Sequence, residues 1–210
     1  MDDHPVVREG LRKLINQEND LTACAEAADA QQAMQAIAEH KPDLAIVDVS
    51  LGETDGIELI KNIKAHHGEL PILVLSIHDE SVYAERALRA GARGYIMKHE
   101  ATGTVVDAIR QVLRGELYMS QKLSNRLLHR IVNARGVAQA YPLEWLTDRE
   151  LRVFELMGRG LGTRQIASQL HVSVKTVESH RAHIKGKLGL TTGSELLQHA
   201  IRWVQSSEGA

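Results

Sequence analysis

LAIVDVSLGETDGIELI, residues 44–60, places two periodicities side by side. The first six residues, LAIVDV, are apolar except for Asp48. Such a run suits a strand covered on both faces, as strands of a parallel sheet are. Beyond it Ile57, Leu59, Ile60 and Ile63 approximate helical spacing and stop before His66-His67-Gly68. Working outward, ILVLSI (72–77) and GYIM (94–97) are further strand-like runs. Ala84, Ala87, Leu88 and Ala90 predict a helix ending at Gly91, and Val105, Val106, Ile109, Val112 and Leu113 one ending at Gly115. Upstream, Val7, Leu11, Leu14 and Ile15 form a helical stripe, with Pro5 suited to its first turn. Alternating strands and helices to residue 114 predict an α/β fold with an open, doubly wound parallel sheet.

After Gly115 the pattern becomes helical. Leu123, Leu127, Leu128, Ile131 and Val132 mark a helix over 120–134, and ARGVAQAYPLEW (134–145) has no clear period. We expect three regions: an α/β domain over 1–118, a helical linker over 119–145 and an all-α domain over 146–210. A chain of 210 residues is long enough for two cores. Charge divides along the same line. Residues 1–118 hold 12 Lys+Arg against 20 Asp+Glu, and residues 119–210 hold 13 against 7, so −8 faces +6. A polyanion is the natural partner of the basic half. There is no signal-peptide pattern and no apolar run of membrane-span length, so the expected compartment is the cytoplasm. The single cysteine, Cys24, excludes an internal disulfide. Lying in the strand-like LTACAEA, it reads as a small buried hydrophobe.

In the C-terminal region Thr147-Asp148-Arg149-Glu150 is a capping box opening a helix that stops at Gly158 and Gly160. TRQIASQL forms a shorter helix, His171-Val172-Ser173 a tight turn, and VKTVESHRAHIKGKL a longer cationic helix. On that last helix Val177, Ile184 and Leu188 point to the core. Lys175, Glu178, Ser179 and Ala182 share another face. A short helix, a tight turn and a cationic helix are what seat a helix in the major groove of double-stranded DNA. Lys175, Glu178, Ser179 and Ala182 are then positioned toward bases, Arg181, Lys185 and Lys187 toward phosphates, and Thr176 is a further expected DNA-binding residue. Helix geometry alone fits a protein-binding bundle equally well. The string LTDREL…GLGTRQIASQLHVSVKTVESHRAHIKGKLGL, however, closely resembles the LuxR-type helix-turn-helix of NarL/FixJ-family response regulators over Leu146–Val204. His180 and His183, three apart, lack a nearby Cys or carboxylate and are not read as a metal site.

Ligands of doubly wound sheets gather at the carboxyl ends of the strands. Asp48, Ser76 and Lys98 fall at or just beyond three such ends, and Asp2 and Asp3 where a preceding strand would end. Clustered carboxylates suit Mg²⁺, one acid can act as nucleophile toward phosphorus, and a lysine offsets charge on the transferring group. MDDHPVVREGL, AIVDVSLGETDGIELI, ILVLSIHDE and ALRAGARGYIMK resemble, in order and spacing, the flavodoxin-like receiver domain of the same regulators. The resemblance implies that Asp48 is the phosphoacceptor and that Asp2, Asp3, Asp48 and the Ser50 carbonyl are Mg²⁺ ligands. It also makes Ser76 and Tyr95 the switch pair and Lys98 the pocket lysine. A histidine kinase would be the phosphoryl donor, and the active form would bind DNA as a homodimer, with no membrane partner.

One departure stands out. Receivers of this family carry a hydrophobic first strand before the acidic pair, whereas this sequence starts at Met1-Asp2-Asp3. The missing strand is interior in the 2-1-3-4-5 order. Three outcomes are expected: a strand from upstream residues, a strand donated by a partner, or direct pairing of 22–27 with 44–49. The function expected is a DNA-binding transcriptional regulator, not an enzyme, switched at Asp48. One alternative is a phosphorylation-independent regulator whose degenerate receiver serves dimerisation. Another is an aspartyl-phosphate phosphatase, which wants a second Asp where Ser50 stands.

Overall fold

The computed structural model describes residues 1–51, 54–78, 80–132 and 142–208. It divides into two compact units, Met1–Val132 and Asn133–Ala210.

The first unit runs α1 (Pro5–Asn16), α2 (Ala30–His40), β1 (Ala45–Asp48), β2 (Ser50–Leu51), β3 (Thr54–Asp55), α3 (Gly56–His66), β4 (Ile72–Ser76), α4 (Glu80–Ala90), β5 (Gly94–Met97), α5 (Ala101–Leu113) and α6 (Gln121–Val132). β1, β4 and β5 form a parallel sheet in that order, with Ala45 opposite Ile72 and Leu73 opposite Gly94. Every residue of β4 is buried, as its unbroken apolar run requires of a central strand. Leu73, Leu75 and Ile96 meet Ala101, Val105, Ala108, Ile109 and Val112 of α5 in one core cluster. β2 and β3 pair as a short antiparallel ribbon beyond β1. Gly56, the first residue of α3, closes back on the end of β1, donating its amide to the Val49 carbonyl at 2.8 Å. A Cβ there would strike the backbone of Asp48 and Val49, so this turn over Asp48 requires glycine.

The first strand's place is where expectation and structure diverge. Residues 21–27 form no strand and do not pair with β1. Instead Met1 and Asp2 stand between them: the Met1 amino group donates to the Ile46 carbonyl at 3.0 Å, and the Met1 carbonyl accepts from Asp48 N at 3.0 Å. On the other side Asp2 N donates to the Ala27 carbonyl at 3.1 Å. Direct closure of 22–27 on 44–49 is thus corrected, because two residues of main chain already hold the walls apart. Cys24 is exposed rather than buried, because residues 21–27 do not form the strand that would have turned it inward. α1 also buries none of its residues completely. Its Val7, Leu11, Leu14 and Ile15 only partly pack against the core.

The second unit begins with a 3-10 turn (Pro142–Trp145), followed by α7 (Asp148–Gly158), α8 (Thr163–Gln169), α9 (Val174–Lys187) and α10 (Gly193–Glu208). The capping box is present: Glu150 N donates to Thr147 Oγ1 at 3.3 Å, and Thr147 N to Glu150 Oε2 at 2.7 Å. α8 ends in a turn with His171 in the left-handed region (φ 50°), where the Val172 amide reaches back to the Ala167 carbonyl at 3.0 Å. Ser173 then caps α9, its Oγ accepting from Thr176 N at 3.0 Å.

Gly158 does more than end a helix. A Cβ on it would run into the Ala200 carbonyl and Val204 side chain of α10. Helix propensity alone makes Gly→Ala favourable by about 1 kcal/mol. Here the opposite sign is expected: Gly158→Ala should destabilise the second unit by about 1–3 kcal/mol through overpacking, read from the urea midpoint. A stabilised variant would contradict this close approach.

Candidate phosphorylation pocket and nucleic-acid interface

The strands end on a common rim, and their order in the sheet fixes what gathers there. Asp48 is the last residue of β1, Ser76 of β4, and Lys98 follows β5 directly. Asp2 and Asp48 are each 1% exposed. Lys98 Nζ lies 2.7 Å from Asp2 Oδ2 and 2.7 Å from Asp48 Oδ2, bridging the two. Burial alone would lower its pKa, but hydrogen bonds to both carboxylates outweigh that and hold the lysine above its ordinary value. Asp3 is half-buried, and His4 Nδ1 is 2.7 Å from its Oδ1 and 3.3 Å from Asp2 Oδ1. Asp2, Asp3, His4 and Asp48 each offer a ligand atom, all within 4.8 Å of one another. The donor set fits a hard divalent cation: buried carboxylate oxygens outnumber the single lysine between them. Of Ser50 the structure gives only the main chain, in β2.

Ser76 is fully buried, its Oγ accepting from His78 N at 3.0 Å. Tyr95 is turned inward, and its hydroxyl donates to the His78 carbonyl at 2.8 Å. The His78 ring stacks on Tyr83, centroids 4.5 Å apart. His78 thereby links Ser76 to Tyr95, a role that sequence reading missed. Its position two residues after Ser76 was a local signal, but its contact with Tyr95 is seventeen residues away. His4, beside the acidic pair, was likewise overlooked.

In the second unit Val177 and Ile184 are fully buried, and Lys175, Glu178, Ser179 and Ala182 are exposed on the opposite side of α9. The two faces read from spacing are those observed, except that Leu188, just past the end of α9, is only half-buried. The cations differ among themselves. Arg181 donates to Thr163 Oγ1 at 2.5 Å, fixing α9 against α8. Lys187 donates to the buried Glu150 at 2.6 Å. Burial would raise the Glu150 pKa, but Lys187 and the Thr147 hydrogen bonds more than offset it and hold the carboxyl below its ordinary value. Glu150 thus joins the start of α7 to the end of α9, a link the capping motif alone did not show. Thr176 is half-buried, its Oγ1 2.7 Å from Ser173 Oγ.

Comparison with known proteins agrees with both halves. The family described as response regulator receiver domain matches residues 1–110, and that of bacterial regulatory proteins, luxR family, matches residues 144–200. The oxygen regulatory protein NreC of Staphylococcus haemolyticus is 39% identical over 206 residues, covering 96% of this chain and 94% of that protein. RcsB of Salmonella enterica serovar Typhimurium, solved on promoter rprA with phosphomimetic BeF3-, is 28% identical with a TM-score of 0.67, covering 95% of each chain. A LuxR-family two-component response regulator from Aurantimonas sp. SI85-9A1 is 37% identical with a TM-score of 0.58, over 62% of this chain and 94% of that one. A strand-end acid pocket and a two-faced cationic helix, on a chain matched in both parts, make this protein a member of the two-component response regulators that join a receiver domain to a LuxR-type regulatory domain.

Proposed function

We propose that this protein is a transcriptional regulator that binds double-stranded DNA through 146–210 and is switched by phosphorylation of Asp48 in the receiver, 1–118, with 119–145 as the connection. The observation that carries the reading is the pair of buried carboxylates, Asp2 and Asp48, bridged by Lys98. Regulators of this family act by binding DNA and are not usually enzymes.

The donor is a phosphohistidine of a histidine kinase. An Asp48 carboxylate oxygen attacks phosphorus, the P–N bond breaks, and the imidazole leaves with the bonding pair. Lys98 already neighbours the nucleophile and offsets charge on the transferred group. Asp2, Asp3 and Asp48, with the Ser50 carbonyl, would hold Mg²⁺, which supplies positive charge to the phosphoryl oxygens when bound. Ser76 Oγ accepts from His78 N, so its own hydroxyl proton remains a donor for a phosphoryl oxygen. Any shift of Ser76 is felt at His78, whose carbonyl holds the Tyr95 hydroxyl. Ser76 and Tyr95 are therefore the switch pair. Lys175, Thr176, Glu178, Ser179 and Ala182 face bases. Arg181 and Lys185 meet phosphates. Lys187, paired with Glu150, contributes mainly through the placing of α9.

Incubation with acetyl phosphate and Mg²⁺ followed by intact mass should show one phosphoryl addition on the wild type and none on Asp48→Asn. Ser76→Ala should still label but transmit less to DNA binding. Full labelling of Asp48→Asn would remove the assignment.

On DNA, Glu178→Ala should change preference at one base position by about 1–3 kcal/mol. Lys185→Ala should weaken all sequences alike and flatten the salt dependence. An unchanged site selected by Glu178→Ala would mean that α9 docks otherwise.

One short recognition helix reads few bases, so we expect a homodimer on two symmetry-related half-sites. Nuclease footprinting should cover both; full affinity for a single half-site would count against it.

A further inference from the structure

The helix that leads out of the receiver, α6, is held at its start by two different elements. On one side the main chain just ahead of it lies along β5: Tyr118 N donates to the Arg93 carbonyl at 2.9 Å, and Tyr95 N donates to the Tyr118 carbonyl at 3.0 Å. On the other side stands α4. Ser120 caps α6, its Oγ accepting from Leu123 N at 3.0 Å, and the same hydroxyl donates to Glu80 Oε1 at 2.8 Å. Leu123, beside the cap, is buried. Glu80 is the first residue of α4, and Tyr83, one turn on, carries the ring that stacks on His78. The first turn of α4 therefore touches the switch with one side chain and the cap of α6 with another.

We propose that the first turn of α4 is a latch on α6, through which the state of Ser76 and His78 sets how firmly α6 is seated on the receiver. Main-chain bonds tie Tyr118 to β5, so the start of α6 moves with β5. A shift of α4 relative to β5 is then borne by the side-chain bond between Glu80 and Ser120. The source of such a shift is two residues away. His78 N donates to Ser76 Oγ. A phosphoryl group that draws Ser76 toward Asp48 takes that acceptor away and moves the His78 ring against Tyr83. The ring stack and the Glu80–Ser120 bond already stand at contact distance, so displacement lengthens them and α6 loosens at its first turn. That last step rests on phosphorylation of Asp48; the latch itself does not. Glu80 and Ser120 are thereby positioning residues for the helix that leads toward 146–210.

Hydrogen exchange of the full chain is followed in the amides of 123–127, first with no phosphoryl donor. Glu80→Ala removes the acceptor and leaves the Ser120 cap in place. It should speed exchange there about 3- to 10-fold, the worth of one hydrogen bond. Glu80→Gln keeps an acceptor oxygen and should restore the protection of the wild type. Tyr83→Leu should speed the same amides, and the double variant with Glu80→Ala no more than Glu80→Ala alone, because both act through one contact. If Tyr83→Leu loses the helical circular dichroism of the wild type, Ser76→Ala takes its place, since it removes only the acceptor of His78 N. After acetyl phosphate and Mg²⁺, with uptake read by intact mass, 123–127 should exchange faster in the wild type and no faster in Glu80→Ala. Unchanged exchange in Glu80→Ala, or effects of the two substitutions that multiply, overturns the latch. So does a phosphorylated wild type in which 123–127 is unchanged. A chain that takes up no phosphoryl group removes the last step together with the phosphorylation reading, and the variants then decide the latch alone.

Discussion

A single ammonium, that of Lys98, holds two buried carboxylates at 2.7 Å each, one from the amino-terminal segment and one from the end of β1. Two like charges buried together in low dielectric repel, and the ammonium between them offsets that repulsion. The rest of the receiver is arranged around that constraint. β5 exists where it does so that Lys98, one residue past its end, reaches across β4 to β1. Met1–Asp2 is pinned into the ladder so that the Asp2 carboxylate arrives from the other side. The pocket thus brings two buried carboxylates and a lysine to one point. It gathers carboxylates around a lysine, the setting in which a divalent cation and then a phosphoryl group would change the local charge most.

What such a change would move is also local. Ser76, His78 and Tyr95 form a short chain of hydrogen bonds from the rim to the buried ring of Tyr95. Each link is a main-chain or hydroxyl contact of ordinary length, so none is strained. A displacement of Ser76 alters where the His78 carbonyl offers its lone pair. In the helical unit Arg181, Lys187 and Glu150 do the corresponding job for α9, a hydrogen bond to Thr163 seating it on α8 and an ion pair seating it on α7 while its other face stays exposed. Cations that look equivalent on a helical wheel thus divide into those that set the helix in place and those left for a ligand.

Much of this was legible in the sequence, for reasons that name its limits. LAIVDV, ILVLSI and GYIM were readable as buried strands because continuous apolar runs admit few other places in a fold. The ends of those runs then located Asp48, Ser76 and Lys98. The two faces of α9 followed from its period. What escaped depends on partners distant in the chain. Glu150 read as a cap, and only the fold brings Lys187 to it, thirty-seven residues on. Gly158 read as a helix stop, and only the packing of α10 reveals a contact there. Cys24 read as buried because its neighbours favour a strand, yet residues 21–27 form none and Cys24 is exposed.

The measurement that bears most directly on the account is the coupling between Asp48 and DNA. Affinity of the full chain for a duplex selected from a random pool is measured by anisotropy, before and after treatment with acetyl phosphate and Mg²⁺, in the wild type and in Asp48→Asn. The wild type should gain about 5- to 150-fold, the range of typical coupling free energies, and the variant nothing. Equal affinity of treated and untreated wild type, or the same gain in Asp48→Asn, would contradict a regulator switched at this carboxylate.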